Sequence, residues 1–254
     1  MSAVMIVIPA RYASTRFPGK PLALLRGRPL LSWVLARCRQ ASGAARVLVA
    51  TDDRRIMEAA REEGAAAEMT AAGHRSGTER LAEVAARHPE ISWFINVQGD
   101  EPEIDPELIN RLIAELRRRD DPATIVTARC PLDSDEDFHS PHVVKVVADL
   151  TGRALYFSRA PIPCERDGQR SDSPAASRWQ HLGIYGYHRS FLEKLAALPP
   201  GELERAEQLE QLRWLENGYR IQLLDAPKPS IGVDTPEELA RLEERWRTDA
   251  GPAA

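Results

Sequence analysis

Apolar and polar positions alternate along the first 120 residues with a period that changes from segment to segment. Short apolar runs rich in β-branched and aromatic residues have the length of buried strands, and they occupy 4–8, 47–50 and 93–97. Segments with apolar residues at helical spacing predict a helix that Pro29 opens and Gly43 closes, and helices over 54–63, 78–87 and 106–119. This alternation favours an α/β fold with a mostly parallel central sheet and helices on both faces.

The second half of the chain has a different pattern. Two β-rich runs flank the turn sequence 149–152, which predicts a β-hairpin. The further predictions are hairpin strands over 143–148 and 153–158, a mobile polar loop over 164–180, a strand over 181–187, a helix over 203–216 and a strand over 221–224. Thr235, Pro236 and Glu238 have the spacing of a capping box that begins a last helix.

The composition is that of an ordinary soluble protein, and the charge balance argues against one class of function. The 254 residues are 43% hydrophobic and 28% charged, and the formal net charge of −4 gives no support to nucleic-acid binding through a basic field. Cys38, Cys130 and Cys164 show neither metal-ligand spacing nor a disulfide framework. Because residues 1–30 lack the order of a signal peptide and no apolar stretch approaches the ~20 residues of a membrane span, we expect a cytoplasmic protein with no membrane partner.

A cationic loop follows the first predicted strand. Arg11, Arg16 and Lys20 lie within ten residues of one another, where the run 4–8 breaks at Pro9. Ligands of open α/β sheets bind at the carboxyl ends of strands, and three positive charges there suit a polyphosphate. A solvated basic loop is an equally good interpretation of the same residues. The loop lacks the spacing of a P-loop, and the absence of G-x-G-x-x-G argues against a dehydrogenase.

Two aspartates at loop ends have no predicted structural role. Asp100 follows the strand over 93–97, but Asp105 is placed to cap the next helix; Asp234 precedes a helix that Thr235 is placed to cap. Two such carboxylates are a candidate Mg²⁺ pair, since Mg²⁺ takes one or two carboxylates with substrate phosphates and water. The segment 74–78 precedes another helix and offers its amides to an anion or a base, although a simple Ser/Thr cap explains it slightly better.

Two further groups of polar residues are open to two interpretations each. Glu207, Glu210 and Gln211 lie on one side of the predicted helix over 203–216, which usually indicates a solvated face. His181 and Tyr185 alternate along a predicted strand and point the same way, toward a ligand or into ordinary packing.

Eight motifs, in order and spread over nearly the whole chain, resemble those of the 3-deoxy-D-manno-octulosonate cytidylyltransferase family, the CMP-Kdo synthetases of lipopolysaccharide biosynthesis. They are IPARYASTRFPGKPL (8–22), HRSGTER (74–80), NVQGDEP (96–102), VKVV (144–147), ALYFSR (154–159), HLGIYGY (181–187), LEQLR (209–213) and GVDTP (232–236). Several of these motifs are long and unlike those of generic nucleotidyltransferases, so the resemblance is specific.

The resemblance implies that CTP and the acidic eight-carbon sugar Kdo react to CMP-Kdo and diphosphate, with Mg²⁺, in a homodimer with a nucleotide-diphospho-sugar transferase-like fold. It implies a single domain over 1–248, with a nucleotide-binding half over about 1–125, a sugar-binding and dimerisation part over about 126–220, and a metal-binding return over 221–248. Residues 249–254 are expected to form a disordered tail.

Site residues carry over from the resemblance motif by motif. Pro9, Ala10, Arg75, Ser76 and Thr78 would hold cytosine and ribose, and Arg11, Arg16 and Lys20 the triphosphate. The sugar would contact Gln98, Arg159, His181, Tyr185, Glu210 and Gln211, and Asp100 and Asp234 would bind the metal next to the nucleotide. The catalytic set implied is Arg11, Arg16, Lys20, Asp100 and Asp234.

Two rival functions differ in what they require of the chain. A sister cytidylyltransferase would act on another acidic sugar, an 8-amino-Kdo analogue or, less favoured, a sialic acid, whose enzymes usually have Gly-Gly-Ser-Lys where this chain has 12–15. A non-catalytic nucleotide-binding regulator would not need Lys20, Asp100 and Asp234, and all three are present.

Overall fold

A computed structural model describes residues 3–14, 16–119, 121–165 and 178–248. The predicted tail over 249–254 and most of the predicted loop over 164–180 lie outside these residues. The strands are β1 (Val4–Ala10), β2 (Leu24–Leu25), β3 (Arg28–Pro29), β4 (Arg46–Thr51), β5 (Ala66–Met69), β6 (Trp93–Asn96), β7 (Ile125–Pro131), β8 (Lys145–Ala148), β9 (Ala154–Ser158), β10 (Trp179–His188) and β11 (Ile221–Asp225). The helices are α1 (Leu30–Gln40), α2 (Arg54–Glu62), α3 (Gly77–Arg87), α4 (Pro106–Arg119), α5 (Asp135–His139), α6 (Arg189–Ala197), α7 (Glu202–Glu207), α8 (Glu210–Glu216) and α9 (Pro236–Thr248).

The described strands build one nine-stranded sheet and one small hairpin. The sheet has the order β11-β7-β10-β6-β1-β4-β5, with β8 added beside β10 and β9 beside β8, while β2 and β3 pair separately. Strand β1 is parallel to β4 and β6, and β7 is parallel to β11, whereas β10 runs antiparallel between β6 and β7. The predicted α/β fold with a mostly parallel sheet and a smaller hairpin part is therefore confirmed.

Strand β1 lies at the centre of the sheet and is buried on both faces. Val4, Ile6 and Ile8 pack into one apolar cluster with α1 and α4, and Met5 and Val7 pack into a second cluster with α3 and α6. Since successive side chains of a strand point to opposite faces, a continuous apolar run is what a doubly covered strand requires. Within the described ranges, no helix combines the length and apolar character needed to cross a bilayer.

The predicted break at Pro9 is wrong, because β1 continues through Pro9 to Ala10, opposite Ala50 and Thr51 of β4. Proline lacks an amide N–H and is tolerated in a strand only where no partner needs that donor. On the side of β6 the pairing ends at Val7, so no ladder bond is lost at Pro9.

The predicted helix over 203–216 is also wrong, because the structure divides it into α7 and α8 at Gln208, which has the left-handed conformation (φ 54°, ψ 46°). The expected solvated face is therefore absent: Gln211 is only 6% exposed. Pro29 and Gly43 also differ from expectation, since Pro29 is the N-cap of α1 and the helix ends at the C-cap Ala41. Extended β3 residues precede α1, which places Pro29 one position outside the helix.

Six elements had no prediction from the sequence, namely β2, β3, β5, β7, α5 and α6. Strand β5 is an edge strand of four residues with only partial burial, so its apolar signal is weak. Strand β7 contains Thr127 and Arg129 within its apolar run, and both take part in side-chain hydrogen bonds that a single sequence does not reveal.

Candidate active site

A cleft of about 220 Å³ opens at the edge of the sheet where β1 and β6 end. Its walls are the loops that follow these two strands, the residues before α3 and the residues before α9. The predicted site residues that line it are Pro9, Ala10, Arg11, Arg16, Lys20, Arg75, Ser76, Gln98, Asp100 and Asp234. The structure therefore brings the predicted phosphate-binding cations and the predicted metal-binding carboxylates into one space.

Lys20 lies between the two aspartates. Its Nζ donates to Asp100 Oδ2 and, across 2.9 Å, to Asp234 Oδ1. Arg16 contacts the second oxygen of Asp234 at 2.9 Å. Burial acts to lower the pKa of Lys20, but the charges and hydrogen bonds of Asp100 and Asp234 outweigh it and raise that pKa. Burial acts to raise the pKa of Asp234, but Lys20 and Arg16 hold it below its usual value, so the group stays ionised at neutral pH.

Packing of the last helix brings Asp234 back to Asp100, although the two are far apart in sequence. The amide of Val233 donates to the Asp100 carbonyl across 2.9 Å. Val233 packs with Trp33 of α1 and Trp246 of α9, whose rings meet edge to face at 4.9 Å. The predicted capping box is confirmed, since Thr235 Oγ1 accepts from the Glu238 amide and the Glu238 carboxylate accepts from the Thr235 amide. Asp234 is thereby left to face the cleft.

Gly19 shapes the loop that presents Lys20. Its amide donates to the Tyr12 carbonyl across 2.9 Å, and its φ of 70° lies in the left-handed region. A Cβ at this position would lie 3.0 Å from the ring of Tyr12, which is itself covered by the Arg55 guanidinium. Only glycine closes this turn without strain, so the turn places Lys20 inside the cleft while Arg11 remains exposed.

Gly99 sets the position of Asp100. A Cβ on Gly99 would lie 3.1 Å from the Pro9 carbonyl, so any larger residue here would push the loop after β6 away from the end of β1. Next to it, burial and then the charge of Asp100 raise the pKa of Glu101 to about 8. The Glu101 carboxyl group is therefore largely protonated at neutral pH.

The amino end of α3 connects the cleft with α8. Ser76 caps α3 by accepting from the Glu79 amide across 3.1 Å, which confirms the capping role. Its hydroxyl also donates to Glu210 at 2.7 Å, and the Thr78 hydroxyl donates to the same carboxylate at 2.8 Å. Arg75 is paired with Glu79 at 2.9 Å. In this structure Thr78 does not line the cleft, and its hydroxyl is engaged by Glu210.

Burial raises the pKa of Glu210 above its ordinary value, although Ser76 and Thr78 partly oppose the shift. A carboxyl group with a raised folded-state pKa holds its proton more tightly in the native than in the unfolded protein, so its contribution to stability decreases as pH rises toward that pKa. Glutamine does not titrate. We therefore expect the free energy of unfolding of Glu210→Gln, relative to that of the parent protein, to be higher at about pH 8 than at about pH 4. Thermal unfolding at both pH values measures this, with the exposed Glu237→Gln as control, and a difference independent of pH would contradict it.

The predicted sugar residues of β10 lie beside the cleft rather than in it. His181 Nε2 is 3.1 Å from Thr127 Oγ1, and its ring is 5.4 Å from that of Tyr185. Burial lowers the pKa of His181 to about 3, so the imidazole is neutral. Gln98, which lines the cleft, donates to the Gly183 carbonyl across 3.4 Å and connects the cleft to β10.

The remaining predicted sugar residues are on neighbouring elements. Gln211 is buried in α8, and Arg159 follows β9, where its guanidinium contacts the Glu207 carbonyl at 2.8 Å. The predicted sugar residues other than Gln98 therefore lie on or next to β9, β10 and α8, and Gln98 is the one predicted sugar residue among the described residues that line the cleft.

The cleft lining also includes three residues with polar side chains that are not among the predicted site residues, Ser14, His74 and Arg80. Arg80 is 3% exposed and is neutralised by Asp52 at 2.8 Å, and His74 is hydrogen-bonded to Glu83. Their positions inside the motifs 8–22 and 74–80 were a signal, but the sequence does not show which motif residues face the ligand.

The donor set at the centre of the cleft fits Mg²⁺. Asp100 and Asp234 direct carboxylate oxygens at one ammonium group, so they already share one cation position. Among the described residues, no third His, Cys, Asp or Glu joins them to form a metal-binding cluster. Mg²⁺ suits such a pair, because it commonly completes its octahedral shell with phosphate oxygens and water.

An open α/β sheet with cations and paired carboxylates at its strand ends is typical of nucleotide-binding proteins that catalyse transfer at phosphorus. A family profile described as Cytidylyltransferase matches residues 5–221. The chain is 48% identical over 250 residues to the 3-deoxy-manno-octulosonate cytidylyltransferase of Syntrophotalea carbinolica (96% of this chain, 99% of the relative) and 49% identical over 250 residues to that of Geotalea daltonii (96% and 98%). A solved CMP:2-keto-3-deoxy-manno-octonic acid synthetase complexed with CTP superposes with a TM-score of 0.90 at 40% identity, covering 97% of this chain and 99% of that one.

The chain therefore belongs to the cytidylyltransferase family and is a nucleotidyltransferase, with a nucleotide-diphospho-sugar transferase-like fold. The fold alone is shared more widely: a 4-diphosphocytidyl-2C-methyl-D-erythritol synthase from Anaerococcus prevotii has a TM-score of 0.62 at 13% identity, covering 97% of this chain and 96% of that one.

Proposed function

We propose that the protein transfers the cytidylyl group of CTP to 3-deoxy-D-manno-octulosonate (Kdo), forming CMP-Kdo and diphosphate for lipopolysaccharide biosynthesis. One observation carries the proposal: Arg16, Lys20, Asp100 and Asp234 converge in a strand-end cleft of a chain that is 48% identical to a 3-deoxy-manno-octulosonate cytidylyltransferase over nearly its whole length.

The reaction is an in-line displacement at the α-phosphorus of CTP. The anomeric hydroxyl of Kdo forms the new P–O bond and loses its proton, and the bond to the β-phosphate oxygen breaks to release diphosphate. Transfers of this kind are catalysed mainly by positioning and by stabilisation of charge. Lys20 lies between the two aspartates, and the exposed Arg11 and Arg16 line the same cleft, so the three cations can neutralise the charge that grows on the leaving diphosphate.

Asp100 and Asp234 are the residues that would hold Mg²⁺. When bound there, Mg²⁺ supplies charge neutralisation of the phosphates and lowers the pKa of a hydroxyl group near it. His181 is not a basic group for the proton, since burial lowers its pKa to about 3 and it is bonded to Thr127. We therefore do not assign His181 as a general base.

The test is diphosphate release from each nucleotide in the presence of Kdo. Cytosine presents an amino donor where uracil presents a carbonyl acceptor, so a site that pairs with cytosine leaves buried polar groups unpaired with UTP. We expect CTP to be favoured over UTP, ATP and GTP by at least about a hundredfold in kcat/KM. Equal use of a purine nucleotide would contradict the cytidylyl assignment.

The same assay with other acidic sugars separates the alternative. With CTP fixed, we expect Kdo to be the best substrate in a panel that includes the 8-amino-Kdo analogue and N-acetylneuraminic acid. Higher kcat/KM for the 8-amino analogue would assign the protein to the sister activity, and no diphosphate release with any sugar would favour the non-catalytic regulator.

We also propose that the protein acts as a cytoplasmic homodimer. Strand β9 pairs only with β8 among the described strands, and Leu155 on β9 is 61% exposed, while Leu150 in the adjoining turn is 94% exposed. Apolar side chains of this size at a sheet edge suit coverage by a partner. Light scattering should give twice the chain mass of 28.3 kDa for the parent protein and a lower mass for Leu155→Glu, and a monomeric parent protein would contradict the proposal.

A further inference from the structure

We infer that Lys145 and Glu207 are positioning residues that hold the Arg159 guanidinium in place for the carboxylate of the sugar substrate. The inference rests on the proposed function, since it takes Arg159 as a sugar-binding residue. It assigns roles to Lys145, a motif residue with no part in the mechanism above, and to the break between α7 and α8.

Neutral carbonyl groups fix the Arg159 guanidinium. Nε donates to the Glu207 carbonyl at 2.8 Å, Nη1 to the Pro141 carbonyl at 2.9 Å and Nη2 to the Gln208 carbonyl at 3.4 Å. An arginine has five N–H groups, so one donor on each Nη is left. Within the part of the chain that the structure describes, no carboxylate pairs with this guanidinium, and its charge is available to an anion.

A fixed guanidinium with two remaining donors matches a carboxylate, which accepts two parallel hydrogen bonds from arginine. Kdo carries its carboxylate on the carbon that also bears the reacting hydroxyl. A group that holds this carboxylate therefore also sets the direction from which the hydroxyl approaches the nucleotide, and small displacements of it weaken catalysis.

The helix break at Gln208 makes the carbonyl acceptors available. In a continuous helix the Glu207 carbonyl would accept from the amide four residues later. The left-handed Gln208 instead ends α7, with the Gln208 side chain donating to the Arg205 carbonyl at 2.8 Å. The carbonyls of Glu207 and Gln208 are thereby turned to Arg159.

The Glu207 carboxylate and Lys145 hold the main chain of Arg159 from both sides. Glu207 accepts from the Arg159 amide at 2.8 Å and from the Ser158 hydroxyl at 2.6 Å. Lys145 is fully buried, and its Nζ donates to the Arg159 carbonyl at 2.6 Å. The amide and carbonyl of Arg159 are therefore both fixed by buried or half-buried charged groups.

Lys145 also fixes the segment that supplies the Pro141 carbonyl. Its Nζ donates to the carbonyls of Ser140 at 2.8 Å and Val143 at 2.6 Å, so that all three ammonium protons are used. A side chain that is 0% exposed and has no donor left does not contact substrate, and it acts through Arg159.

Steady-state kinetics with Kdo and CTP test the inference. We expect Lys145→Met and Glu207→Ala to raise KM for Kdo by about tenfold or more, as loss of a supporting residue typically does. KM for CTP should stay within about twofold, because Lys145 and Glu207 form no hydrogen bond to the described residues that line the cleft. Glu207→Gln keeps an acceptor for the Arg159 amide and should restore most of the affinity. Glu202→Ala, on the exposed side of α7, is the matched control.

A double-mutant cycle separates positioning from a general structural role. If Lys145 and Glu207 act through Arg159, Glu207→Ala should change KM for Kdo little once Arg159 is alanine. Gln208→Gly and Gln208→Val both lose the side-chain amide, but only valine disfavours the left-handed backbone. Glycine should preserve KM for Kdo and valine should raise it. Additive effects in the cycle, or equal effects on both KM values, would overturn the inference.

A measurement without sugar keeps the inference separate from the proposed function. In protein labelled with ¹⁵N-arginine, the Arg159 Nε–H signal, assigned by its loss in Arg159→Lys, should exchange slowly in the parent protein and fast in Lys145→Met and Gln208→Val. If the parent enzyme does not act on Kdo, the proposed function fails. The exchange rate of the Arg159 Nε–H signal still tests whether Lys145 and the break at Gln208 hold the guanidinium in place. Fast exchange in the parent protein would overturn the positioning alone.

Discussion

Asp100→Asn and Asp234→Asn should each lower kcat by about a hundredfold or more, the loss expected when a preorganised charge is removed from a transition state. The double variant should be scarcely worse than either single one. Both carboxylates face one cation position, occupied by Lys20 Nζ in this structure, so removing either one already disrupts the arrangement that would hold Mg²⁺. Groups that act as one unit show this non-additivity.

The controls for this pair use the metal and a neighbouring acid. Glu237→Gln lies in the exposed first turn of α9, close to Asp234 in sequence, and should keep parent activity. EDTA should abolish turnover and Mg²⁺ should restore it. Mn²⁺ titration in the presence of CTP, followed by electron paramagnetic resonance, should show one class of tight site that both asparagine variants lose. Two independent, additive losses, or full activity in EDTA, would contradict a shared metal site.

The location of the cleft could be predicted because the determinants are local and topological. The apolar run over 4–8 and the turn residues after it fix a central strand and its loop, and parallel strands end at one edge of the sheet. Gly99 shows the same principle: its lack of a side chain is visible in the sequence, and in the structure it lets Asp100 lie against the end of β1.

What the sequence did not show depends on contacts between distant elements. At the break in the predicted helix over 203–216, the Arg159 guanidinium donates to the carbonyls of Glu207 and Gln208, and nothing near Gln208 in sequence marks this contact. Local propensity favours helix throughout this segment, and a tertiary interaction overrides it. The antiparallel insertion of β10 between β6 and β7 is likewise a property of the whole sheet.

The chemistry of individual side chains was predicted less completely than their location. Ser76 was open to interpretation as a helix cap or a ligand group; the structure shows the cap and adds a hydrogen bond to Glu210. His181 was expected to face a ligand or the core, and a half-buried neutral imidazole against Thr127 is consistent with both. Burial decides such cases, and burial is a property of the packed molecule rather than of a motif.

Lys20→Met should lower kcat/KM by roughly 3–4 kcal/mol of transition-state stabilisation, the amount typical for loss of one donor to a developing anion. In this structure Lys20 forms ion pairs with Asp100 and Asp234; during the reaction the same ammonium is placed to stabilise the departing diphosphate. Folding should change little, because the loop is polar and Arg16 remains paired with Asp234. Single-turnover kinetics and thermal unfolding measure the two effects, with the exposed Lys194→Met as control. Parent-level turnover in Lys20→Met would remove Lys20 from the mechanism, because neither Arg11 nor Arg16 lies between the two carboxylates.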